Sequence, residues 1–181
     1  TTEIYTLSLH DALPILAAAS ALTACSSTNE AVNQALIEGA VGGIVAADCK
    51  IGRMTYWAAN ATVPVYEISF RIVMTNVSSK PVTLSGDNFA TTLDGTPIPP
   101  FNFSARDVGD ADIWRTYDSL TIRPGEERSV ALAYEISQST YDSWYRSSRT
   151  VAVSFTCGNQ RVTYTKNSRS DEITVSDIET L

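Results

Sequence analysis

Hydrophobic and polar residues alternate with a period of two over most of the chain from Cys49 onward. The clearest example is residues 65–77, where one face is apolar and the other is polar. The apolar positions are Tyr66, Ile68, Phe70, Ile72 and Met74. Successive side chains of a strand point to opposite faces of a sheet, so this pattern predicts a strand with one buried face. The same alternation predicts strands over residues 128–136 and 150–157.

Turn sequences separate these strands. Asp94-Gly95 is a strong signal for a two-residue hairpin, and Gly158-Asn159 predicts a second hairpin. Shorter strands are expected between the turns, at 82–84, 88–93, 119–122 and 160–165. Residues 49–166 are therefore predicted to form an all-β, immunoglobulin-like antiparallel β-sandwich of roughly seven or eight strands. A closed barrel is the alternative fold.

The segment before this domain has a different composition. Residues 16–24 are apolar and rich in alanine, which is typical of the end of a signal peptide. They lead into Leu22-Thr23-Ala24-Cys25, which resembles a bacterial lipobox. That resemblance implies cleavage before Cys25 and attachment of lipid to its sulfur. The alternative is an ordinary cleaved signal that leaves Cys25 as a free thiol.

Residues 1–15 resemble, position by position, the translation of a common sequencing-library adapter. We expect them to be an assembly artefact and exclude them from the prediction of the fold. Their removal eliminates the only histidine, His10, together with Glu3 and Asp11, and changes the formal net charge from −7 to −5. The missing basic start of the signal peptide fits the same explanation.

Two segments flank the predicted sandwich. Residues 25–48 are predicted to be a tether that carries the lipidated cysteine. Val32, Leu36, Ala40 and Ile44 repeat at helical spacing within it, which favours a short frayed helix or a flexible spacer. Residues 167–181 are predicted to be a polar tail, with an edge strand at 173–175 as the alternative.

Charge and histidine content limit the possible functions. Nucleic-acid-binding domains carry basic patches, and this chain is mildly acidic, so no nucleic-acid partner is expected. Once residues 1–15 are excluded the chain has no histidine, so it cannot form a Ser-His-Asp triad or a His-ligated zinc site. We therefore predict that the protein is not an enzyme and needs no cofactor, with catalysis by carboxylates as the less favoured alternative.

The three cysteines are an odd number for an exported protein. Lipidation of Cys25 would leave Cys49 and Cys157 as a pair. In an oxidising compartment such a pair is expected to form a disulfide. The alternative is that both are buried free thiols.

Two loops carry candidate binding residues. Asp107, Asp110 and Asp112 lie in one glycine-containing loop, so they form a weak calcium candidate. A solvated acidic loop is the default interpretation, and no metal site is predicted.

The second loop, residues 137–148, is rich in serine and aromatic residues. Tyr141, Trp144, Tyr145 and Arg146 have the composition of a recognition surface and are the candidate partner-binding residues. The alternative is that Trp144 caps the core of the sandwich while the tyrosines lie at its rim.

Three turn motifs resemble those of the immunoglobulin-like domains of unknown function that many bacterial lipoproteins carry. The motifs are Asn76–Pro81, Phe89–Gly95 and Leu120–Glu126, and the resemblance covers about half of the chain. It implies an extracytoplasmic sandwich with binding or adaptor roles, and it supplies no catalytic residues. It does not include the segment from Arg106 to Trp114.

Together these features predict a lipoprotein of the cell envelope, anchored in a membrane through lipid on its extracytoplasmic side. That side is the periplasm, with the outer membrane, or the cell surface. The sandwich is expected to bind a protein or a glycan without catalysis. A structural envelope component is the alternative function, and a carboxylate-based hydrolase is the less favoured one.

Overall fold

The computed structural model describes residues 39–56, 63–108 and 114–181. Regular structure in these residues is almost entirely β-strand. The strands are β1 (Ile44–Tyr56), β2 (Val65–Asn76), β3 (Val82–Ser85), β4 (Phe89–Leu93), β5 (Thr96–Ile98), β6 (Asn102–Asp107), β7 (Arg115–Thr116), β8 (Ser119–Ile122), β9 (Glu127–Glu135), β10 (Thr150–Cys157), β11 (Gln160–Asn167), β12 (Ile173–Val175) and β13 (Glu179–Thr180). A 3₁₀ turn, Gly86–Asn88, precedes β4, and one short α-helix, α1 (Gln138–Ser143), follows β9. No helix of the described residues has the length and apolar character needed to cross a membrane.

The strands divide into two main antiparallel sheets. The first has five strands in the order β1-β2-β9-β6-β7. The second has the order β12-β11-β10-β4-β5, with β13 paired to the outer side of β11, and β3 and β8 form a separate ribbon. The predicted all-β antiparallel sandwich is confirmed. Three of the additional strands, β5, β7 and β13, are only two or three residues long, which is why alternation in the sequence does not reveal them.

The core lies between the two sheets and is rich in aromatic residues. The ring of Phe89 from the second sheet lies 6.1 Å from that of Phe70 in the first sheet and 5.1 Å from that of Phe155. The alternating positions of β2, from Ile68 to Met74, are almost fully buried, as predicted. Burial of each large apolar side chain contributes roughly 1.5–3 kcal/mol.

A polar contact also joins the sheets inside this core. The hydroxyl groups of Tyr134 on β9 and Thr91 on β4 are 2.7 Å apart, and both residues are buried. A buried hydroxyl without a partner is costly, so each hydroxyl satisfies the other. Burial raises the pKa of Tyr134 to about 12, so this phenol stays protonated at neutral pH.

Strand β1 begins at Ile44, so the prediction of a tether extending to residue 48 is wrong for its last five residues. A β-bulge explains why the pattern was missed. Ala47 pairs with Val73 while Lys50 pairs with Arg71, so β1 contains one extra residue. The buried positions are Ile44 and Ala46 before the bulge but Cys49 and Ile51 after it. A strand whose inward positions shift from even to odd numbers has no single period of two.

The C-terminal segment is part of the second sheet. Residues 173–175 form the edge strand β12, which pairs with β11 from Tyr164 to Lys166. Strand β13 pairs with the beginning of β11, at Gln160 and Arg161. The alternative prediction of an edge strand at 173–175 therefore describes this segment, and a second short strand, β13, follows it.

Candidate functional site

The aromatic segment, residues 137–148, contains helix α1 and the turn that follows it. Ser137 is the N-cap of the helix, and its hydroxyl accepts a hydrogen bond of 3.1 Å from the backbone N–H of Thr140. After the helix the chain turns sharply, because the N–H groups of Arg146 and Ser147 both donate to the carbonyl of Ser143. This turn sends consecutive side chains in opposite directions.

Trp144 is the residue of this segment that points into the protein. Its side chain is only 2% exposed and belongs to the hydrophobic core. The prediction that Trp144 belongs to an exposed recognition surface is therefore wrong, since a buried indole is not accessible to a partner. The alternative interpretation, in which Trp144 caps the core and the tyrosines lie outside it, describes the observed arrangement.

Tyr141 and Tyr145 form a cluster with Arg53 of β1, in which Tyr145 is exposed and the other two residues are half-buried. The Arg53 guanidinium lies 4.1 Å from the ring centre of Tyr141 and 4.5 Å from that of Tyr145. It also donates a hydrogen bond to the Tyr141 carbonyl oxygen. Tyr66 extends the cluster, with its ring 5.0 Å from that of Tyr141. We call Arg53, Tyr66, Tyr141 and Tyr145 the aromatic end of the sandwich.

The aromatic end is accessible mainly through Tyr145, because Arg53, Tyr66 and Tyr141 are half-buried. The side chain of Tyr145 is 63% exposed, and Arg146 beside it is also exposed. A guanidinium stacked on two aromatic rings is held by cation–π attraction, which contributes roughly 0.5–1 kcal/mol at an exposed site. The geometry therefore fixes Arg53 and Tyr145 relative to each other while one of the two rings stays open to solvent.

Arg53 was not identified from the sequence. It follows Cys49 and Ile51 on the inward-facing register of β1, and the bulge that sets this register is not visible in the alternation. Near the end of the strand this face no longer meets the second sheet but meets the aromatic segment. The only feature of the sequence that could have pointed to Arg53 is a positive charge near the end of a strand, at a position that faces inward.

An ion pair holds the aromatic segment against the β4–β5 hairpin. The Arg149 Nη1 atom is 2.7 Å from Asp94 Oδ2, and its Nη2 donates to the Ser143 hydroxyl at 3.3 Å. The Thr150 N–H donates to the other Asp94 oxygen at 2.8 Å. The hydrogen bond from Arg149, and next that from the Thr150 backbone, lower the pKa of Asp94. Asp94 is thereby a negatively charged anchor for the segment at neutral pH.

A buried serine fixes the other side of the segment. Ser168 is 4% exposed, and its hydroxyl accepts a bond of 3.0 Å from the Arg149 N–H and donates one of 3.0 Å to the Ser147 carbonyl. The Arg169 guanidinium donates to the Arg146 carbonyl. The segment is thus attached on both sides to the second sheet, so its exposed side chains start from a defined backbone.

The opposite end of the sandwich holds its polar groups differently. The Asn76 side chain is fully buried and makes four hydrogen bonds. Its Nδ2 donates to the carbonyls of Lys80 at 2.8 Å and Ile122 at 2.9 Å, and its Oδ1 accepts from the N–H and the hydroxyl of Ser78. Its backbone N–H and C=O bond to Glu126 and Gly125. We call this group the Asn76 turn cluster.

The Asn76 turn cluster joins two of the turns that carry the sequence resemblance. Residues 76–81 and 123–126 are distant in sequence but bond directly through Asn76. These motifs are therefore structural, because they close one end of the sandwich with backbone hydrogen bonds.

The predicted disulfide is absent, and Cys49 and Cys157 are both buried free thiols. The Cys157 thiol donates to the Gly42 carbonyl at 3.7 Å, just before β1 begins. Cys49 lies five residues beyond Ile44 in β1, which is roughly 16 Å along the strand. A disulfide requires Cα atoms about 4.4–6.8 Å apart, so this register keeps the two thiols from bonding.

Burial also makes both thiols unreactive. It raises the pKa of Cys49 to about 12 and raises the pKa of Cys157 above its ordinary value. The thiolate is the nucleophilic form, so neither group is suited to nucleophilic catalysis at neutral pH. Cys25, the predicted lipidation site, lies outside the described residues.

The weak calcium candidate is described only in part. Asp107 on β6 forms an ion pair with Arg128 of the neighbouring strand β9, and Arg128 also bonds to Glu126 at 2.6 Å. Asp110 and Asp112 lie outside the described residues. No group of three or more metal-ligating side chains occurs in the part of the chain that the structure describes.

A shallow depression of about 170 Å³ lies on the outer face of the first sheet. The described residues that line it are Asp48, Lys50, Arg71, Ile72, Val73, Arg106, Trp114 and Ser129. Asp48 is the only carboxylate among them. Another carboxyl group of this sheet, Glu67, is 6% exposed but does not line the depression. Its burial raises its pKa, an effect that the Arg71 charge opposes.

Comparison with known proteins finds similarity only to solved structures of low sequence identity. No protein-family model and no curated protein sequence matches the chain significantly. The crystal structure of the yjhA protein from Bacillus subtilis is similar at 15% identity, covering 63% of this chain and 74% of that one, with a TM-score of 0.39. An uncharacterised β-sandwich protein from Clostridium difficile is similar at 16% identity, covering 68% and 83%, with a TM-score of 0.41. A functionally unknown protein from Listeria monocytogenes has 12% identity and a TM-score of 0.38, with 63% of this chain and 66% of that one covered.

Proposed function

We propose that this protein is a cell-envelope lipoprotein whose sandwich is a non-catalytic binding domain for a protein or glycan partner. The observation that carries the proposal is the cation–π contact of the Arg53 guanidinium with both Tyr141 and Tyr145, with Tyr145 63% exposed. Tyrosine and arginine are the residue types that most often dominate binding energy at protein interfaces. Tyrosine also gives a large contact area for the loss of few side-chain rotations.

Preorganisation supports the aromatic end as the binding surface. Ordering a mobile side chain on binding costs roughly 0.5–1.5 kcal/mol. Arg53 is already held by two rings and one carbonyl, and the Asp94–Arg149 pair fixes the segment that carries Tyr141 and Tyr145. A partner that covers this surface would therefore lose little affinity to ordering.

The chemistry of the described residues supports binding more than catalysis. Asp48 is the single carboxylate in the outer-face depression, whereas carboxylate-based hydrolysis needs two converging groups. The two described thiols have raised pKa values. These groups offer neither an activated nucleophile nor an acid–base pair.

Anchoring through Cys25 is part of the proposal. Each buried CH₂ of an acyl chain contributes about 0.8 kcal/mol, so several chains hold a protein on a membrane far better than one chain does. Replacing the cysteine by Cys25→Ala should move the protein from the membrane fraction to the soluble fraction and abolish labelling by an alkynyl fatty acid. Retention of both membrane association and label in the variant would contradict lipidation at this site.

Partner binding is tested by capture with matched aromatic variants. Purified wild-type protein, Tyr145→Ala and Phe101→Ala would each be used to retain proteins from detergent-solubilised envelopes and, separately, to co-sediment with purified peptidoglycan. Phe101 is the control because it is an aromatic residue, 42% exposed, outside the aromatic end. Loss of a binding hot spot typically weakens affinity by a factor of about thirty or more.

The two arms of this experiment distinguish the partner classes. Selective loss of a retained protein in Tyr145→Ala supports a protein partner, and selective loss of sedimentation supports a glycan. Equal behaviour of Tyr145→Ala and Phe101→Ala in both arms would contradict the proposed binding surface.

A further inference from the structure

The depression on the outer face of the first sheet has a charge opposite to that of the protein as a whole. Lys50, Arg71 and Arg106 give three positive charges to its lining, against one negative charge from Asp48. The whole chain has a formal net charge of −7. An acidic protein repels anions over most of its surface, so a local concentration of positive charge in a concave site requires its own explanation.

Strand register brings the lining residues together. Arg106 on β6 pairs with Ser129 on β9, and Ser129 pairs with Val73 on β2. Lys50 on β1 pairs with Arg71 on β2. The three cations therefore come from three strands of one sheet and face the same side. The β-bulge between Ala47 and Lys50 places Asp48 and Lys50 at the border of the depression.

Trp114 orders the two guanidinium groups. The guanidinium carbon of Arg106 lies 5.0 Å from the Trp114 ring centre, and that of Arg71 lies 5.5 Å from it. Cation–π attraction to the indole, the strongest of the aromatic acceptors, favours this arrangement over free rotation of the arginine side chains. The donor groups of both arginines are thus held near each other before any ligand arrives.

Two of these cations, Lys50 and Arg71, have charge and hydrogen-bond donors available to a ligand. Within the described residues, neither Lys50 nor Arg71 forms an ion pair. The hydrogen bonds of Arg71 to described residues are one of 3.3 Å from Nε to the Ser69 hydroxyl and a weak one of 3.4 Å from Nη2 to the Met54 sulfur. Its charge also acts on the Glu67 carboxyl, where it opposes the increase in pKa caused by burial. Arginine presents five N–H donors in a planar fork, so most of the donors of Arg71 are available to an acceptor in the depression.

From this geometry we propose that the outer-face depression binds an oxyanion group, a phosphate, sulfate or carboxylate, of a small ligand. Charge-assisted bonds from guanidinium and ammonium groups to such an anion are the strongest class of hydrogen bond in proteins. Pockets for drug-sized ligands have volumes of roughly 300–1,000 Å³. A depression of about 170 Å³ is smaller and fits one oxyanion group with a small attachment. This site is separate from the aromatic end and does not depend on partner binding there.

The experiment follows the bound anion at the site itself. The purified ¹⁵N-labelled protein would be titrated with inorganic phosphate and, separately, with sodium acetate, with sodium chloride adjusted to keep ionic strength constant. The readouts are the NMR signals of the Trp114 indole N–H and the Arg71 Nε–H. We expect a saturable shift of both signals, and the tighter of the two anions indicates whether the natural ligand offers a phosphate-type group or a carboxylate.

Three variants make the proposal falsifiable. Arg71→Gln and Lys50→Gln each remove one charged donor from the depression and should weaken anion binding by about tenfold or more. Arg123→Gln makes the same change in charge at an exposed turn position outside the depression and should leave the affinity unchanged. The amide spectrum of each variant reports whether it is folded. Shifts that do not saturate, or the same affinity in Arg71→Gln, Lys50→Gln and Arg123→Gln, would overturn the proposal.

Discussion

The two ends of the sandwich use polar side chains in opposite ways. Strand β2 runs from one end to the other, a distance of roughly 36 Å along its 12 residues. At its C-terminal end, every hydrogen-bonding group of the Asn76 side chain is bonded inside the protein. At the other end, Arg53 stacks on Tyr141 and Tyr145, and the Tyr145 ring extends into solvent.

This difference separates residues that stabilise the fold from residues that are available to a partner. Asn76 satisfies the backbone of two turns, so its hydrogen bonds contribute to folding and leave nothing for a ligand. Tyr145 contributes little buried area, and its exposure has no evident role in stability. Substitutions in the Asn76 turn cluster should therefore lower the free energy of unfolding, whereas substitutions of exposed residues at the aromatic end should weaken partner binding.

Trp144→Ala should have the largest effect on stability. Trp144 lies in the sequence of the aromatic segment, but its side chain is in the core. Removing a buried indole leaves a cavity, and such changes cost roughly 3–5 kcal/mol of unfolding free energy. Urea denaturation would measure this loss. The neighbouring substitution Tyr145→Ala is the matched control, with an expected loss below about 1 kcal/mol because Tyr145 is exposed. Equal losses of unfolding free energy in the two variants would contradict the conclusion that Trp144 is a core residue and Tyr145 a surface residue.

Asn76→Ala should destabilise the protein by about 2–4 kcal/mol, since it leaves the carbonyls of Lys80 and Ile122 and the donors of Ser78 without their partner. The control is Asn159→Ala at the exposed β10–β11 turn. Both variants would be followed by urea denaturation. The folded fraction of Asn76→Ala should keep the partner binding of the wild type, because the aromatic end is at the opposite end of β2. A loss under about 0.5 kcal/mol would show that the Asn76 turn cluster does not stabilise the sandwich.

Asp94→Asn should have a smaller, pH-dependent effect at the aromatic end. The pKa of Asp94 is lowered in the folded protein, so its contribution to stability is present above its ordinary value of 3.8 and is lost as the pH falls through the folded value. The pair with Arg149 is partly exposed, so we expect a loss of only about 0.5 kcal/mol at pH 7. Asparagine tolerates the positive φ of 52° at this position, so the turn itself is kept. Denaturation in a series from pH 7 downward checks the prediction: the difference between Asp94→Asn and the wild type should shrink as the pH falls, and a difference that grows would contradict it.

Glu67→Gln should give the smallest effect, and in the opposite direction. Burial raises the pKa of Glu67, so the folded protein disfavours its charged form. Its contribution to stability is therefore present below the ordinary value of 4.5 and is lost as the pH rises through the folded value. The neutral variant should be slightly more stable than the wild type at pH 7 and should show a flatter pH profile. Thermal unfolding between pH 4 and pH 8 measures this. A less stable variant at pH 7 would indicate that the carboxylate itself is needed.

The features predicted correctly from the sequence are local ones. The alternation from Ile68 to Met74 and the Asp94-Gly95 hairpin depend on residues close together in the chain, and both are observed. Leu93 pairs with Thr96, and both turn residues have positive φ. Such signals do not require knowledge of which strands become neighbours.

The features that were missed depend on tertiary register. The bulge after Ala47 places Cys49 and Arg53 on the inward register of β1, so that Arg53 reaches Tyr141, and the alternation in the sequence does not reveal it. The inward direction of Trp144 depends on a turn held by Ser143. The depression needs Lys50, Arg71 and Arg106 from three strands, so composition alone does not reveal it.

Site-specific photocrosslinking in cells tests most directly whether binding belongs to the aromatic end. A photoreactive phenylalanine analogue would replace Tyr145 in one strain and Asn159, at the opposite end of the second sheet, in another, with both proteins exported through a lipoprotein signal peptide. We predict that irradiation yields a discrete crosslinked product at position 145 and none at position 159. Crosslinks at position 159 alone, or equal products at both positions, would contradict the assignment of partner binding to the aromatic end.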